Sequence, residues 1–250
     1  MIGIIGAGNM GMAIASRIKD RVLLSDKNKR ISDNVTVAKR SNIIILAVKP
    51  QDMAEVLKEI KPYVKEKLMI SIAAGVTTSS IEKALGKVRV IRVMPNMPAM
   101  VGKGISAITR GRFSRPSDLK ITFGIFLKVG DVVEVKENMM DAITAVSGSG
   151  PAYYFLFTHL LAKAGEASGL RRDLAMKLAK ATFIGAAEIA CHNDLSMEEF
   201  VKKVASKGGT TEAALKVFKS KKIEGIIKQA VKSALLKSSN ITKGEMACRK

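Results

Sequence analysis

The stretch "IGIIGAGNMGMAIASRIK", Ile2–Lys19, decides the fold. It opens on an apolar, isoleucine-rich run, passes through three glycines and ends in small and apolar residues at helical spacing. Gly6, Gly8 and Gly11 stand in the order G-x-G-x-x-G. Alone that pattern is weak; between a strand and a helix it is the phosphate-binding turn of a dinucleotide fold. Gly6 permits the tight turn, Gly8 lets the backbone approach a pyrophosphate, and Gly11 lets the helix pack on the strand. The helix start adds N–H donors and a partial positive charge. Gly6, Ala7, Gly8, Asn9, Met10 and Gly11 are therefore candidate cofactor-binding residues.

The alternation begun here continues through the first half. Ile2–Ile5, Val22–Leu24, Ile43–Val48, Leu68–Ile72, Val88–Val93, Ile105–Ile108 and Val132–Val135 read as strands. Several are continuous apolar runs, as in strands buried on both faces. Met10–Lys19, Met53–Lys61, Ser79–Leu85 and Phe113–Lys128 read as helices, the third with Ser79 or Ser80 as N-cap, the fourth with Asp118 in its first part. Alternating strands and helices imply a mostly parallel α/β sheet.

From about Asn138 no further strand is legible. "MMDAITAVSGSGPAYYFLFTHLLAKAGEASG" reads as one long helix interrupted at "SGSGPA" and ended by Gly169. Pro151 has no N–H, and its ring meets the carbonyl of Ser147, so a kink is expected there. Four more segments of helical period follow. The expected fold is an α/β Rossmann-type domain over residues 1–138 and an all-α domain over residues 139–250.

The 250 residues are 47% apolar, enough for a substantial core. The start of the chain lacks a basic leader, and no run of 18 uncharged apolar residues occurs, so neither secretion nor membrane insertion is expected. Cys191 and Cys248 have no metal-type spacing, so no metal site is expected and a reducing cytoplasm fits. The net charge of +20 raises nucleic acid as a partner. Yet residues 1–140 hold 24 Lys+Arg against 12 Asp+Glu, and residues 141–250 hold 18 against 10, so the charge is spread. Aromatics are only 4% and Trp is absent, which leaves few stacking platforms. The charge better suits anionic small molecules than nucleic acid.

Asp26 lies 20 residues past Gly6, where an acid bonds the ribose hydroxyls of NAD. Lys27, Lys29 and Arg30 follow at once and suit the 2′-phosphate of NADP, so this stretch leaves NADH and NADPH both open. Ala47, Val48, Lys49 and Pro50 end the third apolar strand, on the side where parallel sheets bind ligands. Asn96 ends a later strand and either orients the nicotinamide amide or caps a turn. His159 and His192 are the only histidines, and neither is assigned a role.

"GAGNMG", "LAVKPQ", "SIAAGVTTSSIEKAL", "RVMPNMPAMVGKG", "AVSGSGPAYYFLF" and "ASKGGTTEAAL" occur in that order. Together they resemble pyrroline-5-carboxylate reductase over nearly the whole chain. The resemblance implies reduction of 1-pyrroline-5-carboxylate to L-proline with NADPH or NADH. It implies that the turn Ser206, Gly208, Gly209 and Thr210 binds the substrate carboxylate through backbone N–H groups. It gives Thr211 the catalytic place, donating a hydrogen bond to the ring nitrogen; the plainer alternative for both threonines is helix capping. It also implies a homodimer through the helical half, with larger oligomers left open, and sites combining Thr211 of one subunit with the glycine loop of the other. The chain departs from the family pattern in three places: Lys207 replaces a proline, Ser25-Asp26 stands where Asn-Arg is frequent, and the span from Asp26 to Ile43 is short. Two other readings remain. One is a β-hydroxyacid dehydrogenase, although no family motif surrounds Lys163; the other is a cofactor-binding fold used as a nucleic-acid or regulatory binding protein.

Overall fold

The structure, a computed structural model, describes residues 1–18, 22–28 and 31–247, with side chains through residue 242. Lys19, Lys29, Arg30 and Cys248 lie outside the described residues. The chain forms two compact units, Met1–Pro151 with Lys232–Lys250 and Ala152–Val231.

The first unit is built on seven strands: β1 Ile2–Ile5, β2 Val22–Ser25, β3 Ile43–Leu46, β4 Leu68–Ser71, β5 Arg89–Met94, β6 Gly104–Arg110 and β7 Gly130–Glu134. Their order in the sheet is β2-β1-β3-β4-β5-β6-β7, and every pairing is parallel except β5 with β6. The short connection explains that exception. Only residues 95–103 bridge β5 to β6, with Gly102 at φ 75°, and a return this short leaves no room for a crossover. The central strand β3 is apolar at every position, and β1 and β4 are buried throughout, because both faces are covered. Ile5, Ile44, Leu46 and Met69 belong to the core on one face, Ile4, Ile45, Ile70 and Ile91 to the core on the other.

Helices α1 Asn9–Arg17, α2 Asn34–Arg40, α3 Met53–Ile60, α4 Thr78–Leu85 and α5 Pro116–Phe126 cover the sheet. In α3, Met53, Val56, Leu57 and Ile60 are buried, the spacing of one helical face. The N-cap of α4 is Thr77, not Ser79 or Ser80. A cap hydroxyl must reach the N–H three residues on, and Thr77 Oγ1 accepts from Ser80 N at 3.1 Å. Helix α5 starts at Pro116 rather than Phe113, because the residue before a proline is driven out of helical geometry. The Arg115 N–H donates to Asp118 Oδ2 at 2.8 Å and closes that start.

Among the described residues after Glu134 all regular structure is helical. The expected kink at Pro151 takes another form. Helix α6 Met140–Ile143 opens into a π turn over Thr144–Gly148, and α7 Gly150–Ala167 begins beyond it. Ser149 N reaches back five residues to the Thr144 carbonyl at 2.8 Å. The widened turn puts Pro151 in the first turn of α7, where its missing N–H costs nothing. The remaining helices are α8 Arg172–Cys191, α9 Met197–Val204, α10 Thr210–Ser220 and α11 Ile223–Ala247. The end of α11 belongs to the first unit. Ser238 Oγ and Thr242 Oγ1 donate to Asp141 Oδ1 at 2.7 and 3.2 Å, and the side chain of Ile241 sits where a Cβ on Gly75 would be.

Candidate functional site

The chain leaves β1 for β2 on one side of the sheet and reaches β3 on the other, so a crevice opens at the carboxyl ends of β1 and β3. Gly6 turns there at φ 104°, and a Cβ on it would lie 2.6 Å from the Ala47 carbonyl oxygen. Its neighbours hold it on both sides: Gly6 N donates to the Ser25 carbonyl at 2.9 Å, and Ala47 N to the Ile5 carbonyl at 2.8 Å. A Cβ on Gly11 would run into the Gly6 carbonyl, so α1 approaches the strand only with glycine there. A Cβ on Gly8, by contrast, would meet open space. Gly8 is the N-cap of α1, no side chain caps that helix, and its first turn carries no acid. The turn therefore presents backbone donors to an anion, and it fits a pyrophosphate.

Gly6, Gly8, Asp26, Lys27, Ala47, Val48 and Lys49 line one cavity of about 670 Å³. Ala7 is buried, and its N–H donates to Asp26 Oδ2 at 2.9 Å. Asn28 N donates to the other oxygen, Oδ1, at 2.9 Å. Asp26 is thus tied to the glycine turn with one lone pair per oxygen still open. Asn9 is exposed at the start of α1, and Met10 packs partly into the core. Pro50 opens the short 3₁₀ turn after Lys49.

Asn96 is not among the residues lining that cavity. Its Oδ1 accepts from Ile105 N at 3.0 Å and its Nδ2 donates to Ser147 Oγ at 3.3 Å. Neither bond caps the 3₁₀ turn that follows Asn96, so the expected capping role is not the one its side chain plays. His159 is exposed in α7, and His192 ends α8 with Nδ1 against the Glu188 carbonyl at 2.9 Å.

Several cavity residues escaped the sequence reading. Asp52, Glu55 and Glu59 line it from the start of α3 and along one side of that helix. Their i, i+3, i+7 spacing was a legible signal, although spacing does not say what the face looks into. Asp52 Oδ1 lies 2.8 Å from Lys27 Nζ and raises that ammonium's pKa through the hydrogen bond and its charge. Glu59 Oε2 accepts from Asn34 Nδ2 at 2.7 Å, and Asn34 Oδ1 accepts from the buried Ser25 hydroxyl at 2.8 Å. Asp33 caps α2, accepting from Thr36 N and Oγ1 at 2.7 Å each, which lowers its pKa.

The second glycine turn lies in Ala152–Val231. Gly208 adopts φ 75°, and Gly209 N donates to the Ser206 carbonyl at 3.0 Å. The N-cap of α10 is Gly209, without a side-chain cap bond, so neither Thr210 nor Thr211 is the cap; both stand in the first helical turn. Gly208 N is engaged by Glu212 Oε2 at 2.7 Å, so a carboxylate already sits where the substrate's was expected. Among the described residues no group of His, Cys, Asp or Glu is arranged to hold a metal ion.

Residues 137–241 match the family described as pyrroline-5-carboxylate reductase dimerisation, and residues 19–75 the family described as NADP oxidoreductase, coenzyme F420-dependent. Pyrroline-5-carboxylate reductase of Synechocystis is 37% identical, over 97% of this chain and 98% of its own. That of Methanosarcina acetivorans is 38% identical, over 97% and 96%. The crystal structure of Plasmodium falciparum pyrroline carboxylate reductase with NADP bound superimposes with a TM-score of 0.88 at 33% identity, over 96% of this chain and 97% of that one.

Proposed function

Because this chain belongs to the pyrroline-5-carboxylate reductase family, we propose how its two glycine turns divide the family's reaction. The chain reduces 1-pyrroline-5-carboxylate to L-proline with NAD(P)H, a step of proline biosynthesis. The bound dinucleotide supplies a hydride from its reduced nicotinamide.

Residues 1–138 hold the dinucleotide and residues 139–250 the substrate. The turn of Gly6, Gly8 and Gly11 receives the pyrophosphate at the uncapped start of α1. Asp26 receives the adenosine ribose, and Ala47–Pro50 form the far wall. Ser206, Gly208, Gly209 and Thr210 take the substrate carboxylate. Glu212 then has to release the Gly208 N–H, since two carboxylates do not share one donor. Thr211 donates its hydroxyl proton to a hydrogen bond with the ring nitrogen as electron density gathers there. The observation that carries this division is the second turn: two glycines precede a helix whose cap position is a glycine, which leaves both threonine hydroxyls free of the capping role.

Homo-oligomer formation follows from the dimerisation family; the finer reading is a dimer through residues 139–250. Tyr154, Phe155, Leu156 and Phe157 in α7 are exposed in the single chain and support it. Among the described residues no helix is long and apolar enough to cross a membrane, and we place the protein in the cytoplasm without a nucleic-acid partner. Oxidation of NADH or NADPH that depends on added pyrroline-5-carboxylate, with proline as product, tests the reaction. Turnover of 3-hydroxy acids instead would overturn it.

A further inference from the structure

Building on the dinucleotide reading above, we propose that this cavity selects NADH over NADPH, with Asp26 receiving the ribose hydroxyls and Asp52 acting as a specificity residue by holding Lys27. Three observations carry it. The first is the geometry of Asp26. Two backbone N–H groups, from Ala7 and Asn28, fix its carboxylate at the cavity wall at 2.9 Å each. Its two remaining lone pairs match a pair of vicinal hydroxyls, whereas a 2′-phosphate in that place would meet an ionised carboxylate.

The second is the fate of the neighbouring cation. A lysine directly after the acid is the natural counter-charge for a phosphate. Here Lys27 Nζ is engaged by Asp52 at 2.8 Å, an acid supplied from the start of α3. The third is the rest of the wall. Asp33, Glu55 and Glu59 line the same cavity, and against the five carboxylates the cations among the described lining residues are Lys27 and Lys49. At the start of α2 a further acid, Asp33, takes the Thr36 N–H. Each of these carboxylates repels a dianionic 2′-phosphate and leaves two neutral hydroxyls unopposed.

The test uses ligands that carry the adenosine end alone, ADP-ribose and 2′-phospho-ADP-ribose, titrated calorimetrically into the full-length protein. ADP-ribose is expected to bind at least about tenfold tighter, equivalent to about 1.4 kcal/mol. Asp52→Asn, which frees Lys27, is expected to narrow that gap about threefold, because the ion pair is exposed and its release worth little. Adding Lys27→Ala to it is expected to restore the gap. A merely structural Asp52 would weaken both ligands alike, and Lys27→Ala would restore nothing. Equal or tighter binding of the 2′-phosphorylated ligand by the unaltered protein, with Lys29 or Arg30 supplying its site, would overturn the proposal. So would an unchanged gap in Asp52→Asn, or binding of neither ligand. Intact discrimination without turnover of pyrroline-5-carboxylate would support this proposal and remove the reaction instead.

Discussion

The two compact units handle their apolar side chains in opposite ways. Met1–Pro151 wraps two cores around its sheet, and side chains as large as Phe126, Ile44 and Met69 are wholly buried. Among the described residues of Ala152–Val231 only Thr158, Ala162, Ala175 and Ala179 are buried, and none of them is large. Tyr154 stacks on Phe183 with ring centroids 5.8 Å apart, yet is 62% exposed, and Leu156 is 57% exposed. One unit is complete within a single chain; the other carries apolar surface on a scale that marks an interaction face. The lesson extends to the two glycine turns. The first is wedged between strands and has no freedom to shift. The second is held by its own Ser206 and Glu212.

The comparison is most open to attack at Thr211. Thr211→Ala is expected to lower kcat about 10²- to 10⁴-fold, the range of a lost proton-donating group, while ADP-ribose affinity stays near the unaltered value. Steady-state kinetics beside calorimetry decide it; near-normal kcat would remove the hydroxyl from the chemistry.

The exposed face comes next. Charging it with Leu156→Glu and Leu160→Glu should cost more than about 2 kcal/mol of association and leave a monomer in sedimentation. Far-ultraviolet circular dichroism should retain the sheet. A dimer surviving both changes would show that the self-association surface lies elsewhere.

The turns are then separated by matched substitutions. Gly6→Ala places a Cβ against the Ala47 carbonyl at a positive φ, and a loss of about 2–4 kcal/mol in urea unfolding is expected, with loss of ADP-ribose binding. Gly208→Ala meets no neighbour within 4 Å and bears only the left-handed backbone cost, about 1–2 kcal/mol. Equal losses would erase the contrast between a turn wedged against strands and one with open space for a Cβ.

The smallest effect belongs to Glu82, whose carboxyl is pushed up in pKa chiefly by burial in the first unit, with Oε1 lacking a partner. The folded state then holds the proton more tightly than the unfolded chain. That stabilisation is complete below the ordinary glutamate range and is lost as pH rises through the folded value. Glu82→Gln should therefore raise the melting temperature at neutral pH, with an advantage that shrinks on acidification. A difference independent of pH would assign it to packing.

Much of this was written along the chain. Seven β-rich runs became seven strands; the central ones were plainest, because a strand buried on both faces needs only a continuous apolar run, and that is a local property. Gly6, Gly8 and Gly11 disclosed their turn for the same reason: the conformation they permit is decided within six residues. The cap of α4 and the start of α5 are local too, set by Thr77 and Pro116, yet the expected Ser79 or Ser80 and Phe113 missed both. What the tertiary structure alone decided is which distant side chains meet. Lys27 finds Asp52 and Asn34 finds Glu59, each 25 residues away, because β1 lies between β2 and β3 and brings their carboxyl ends to one crevice. Asp141 waits 97 residues for Ser238. Periodicity reports which face of an element is apolar, but a strand's place in the sheet is settled by the packing of whole layers. The charges around the cavity were therefore visible as residues, while their pairing was not.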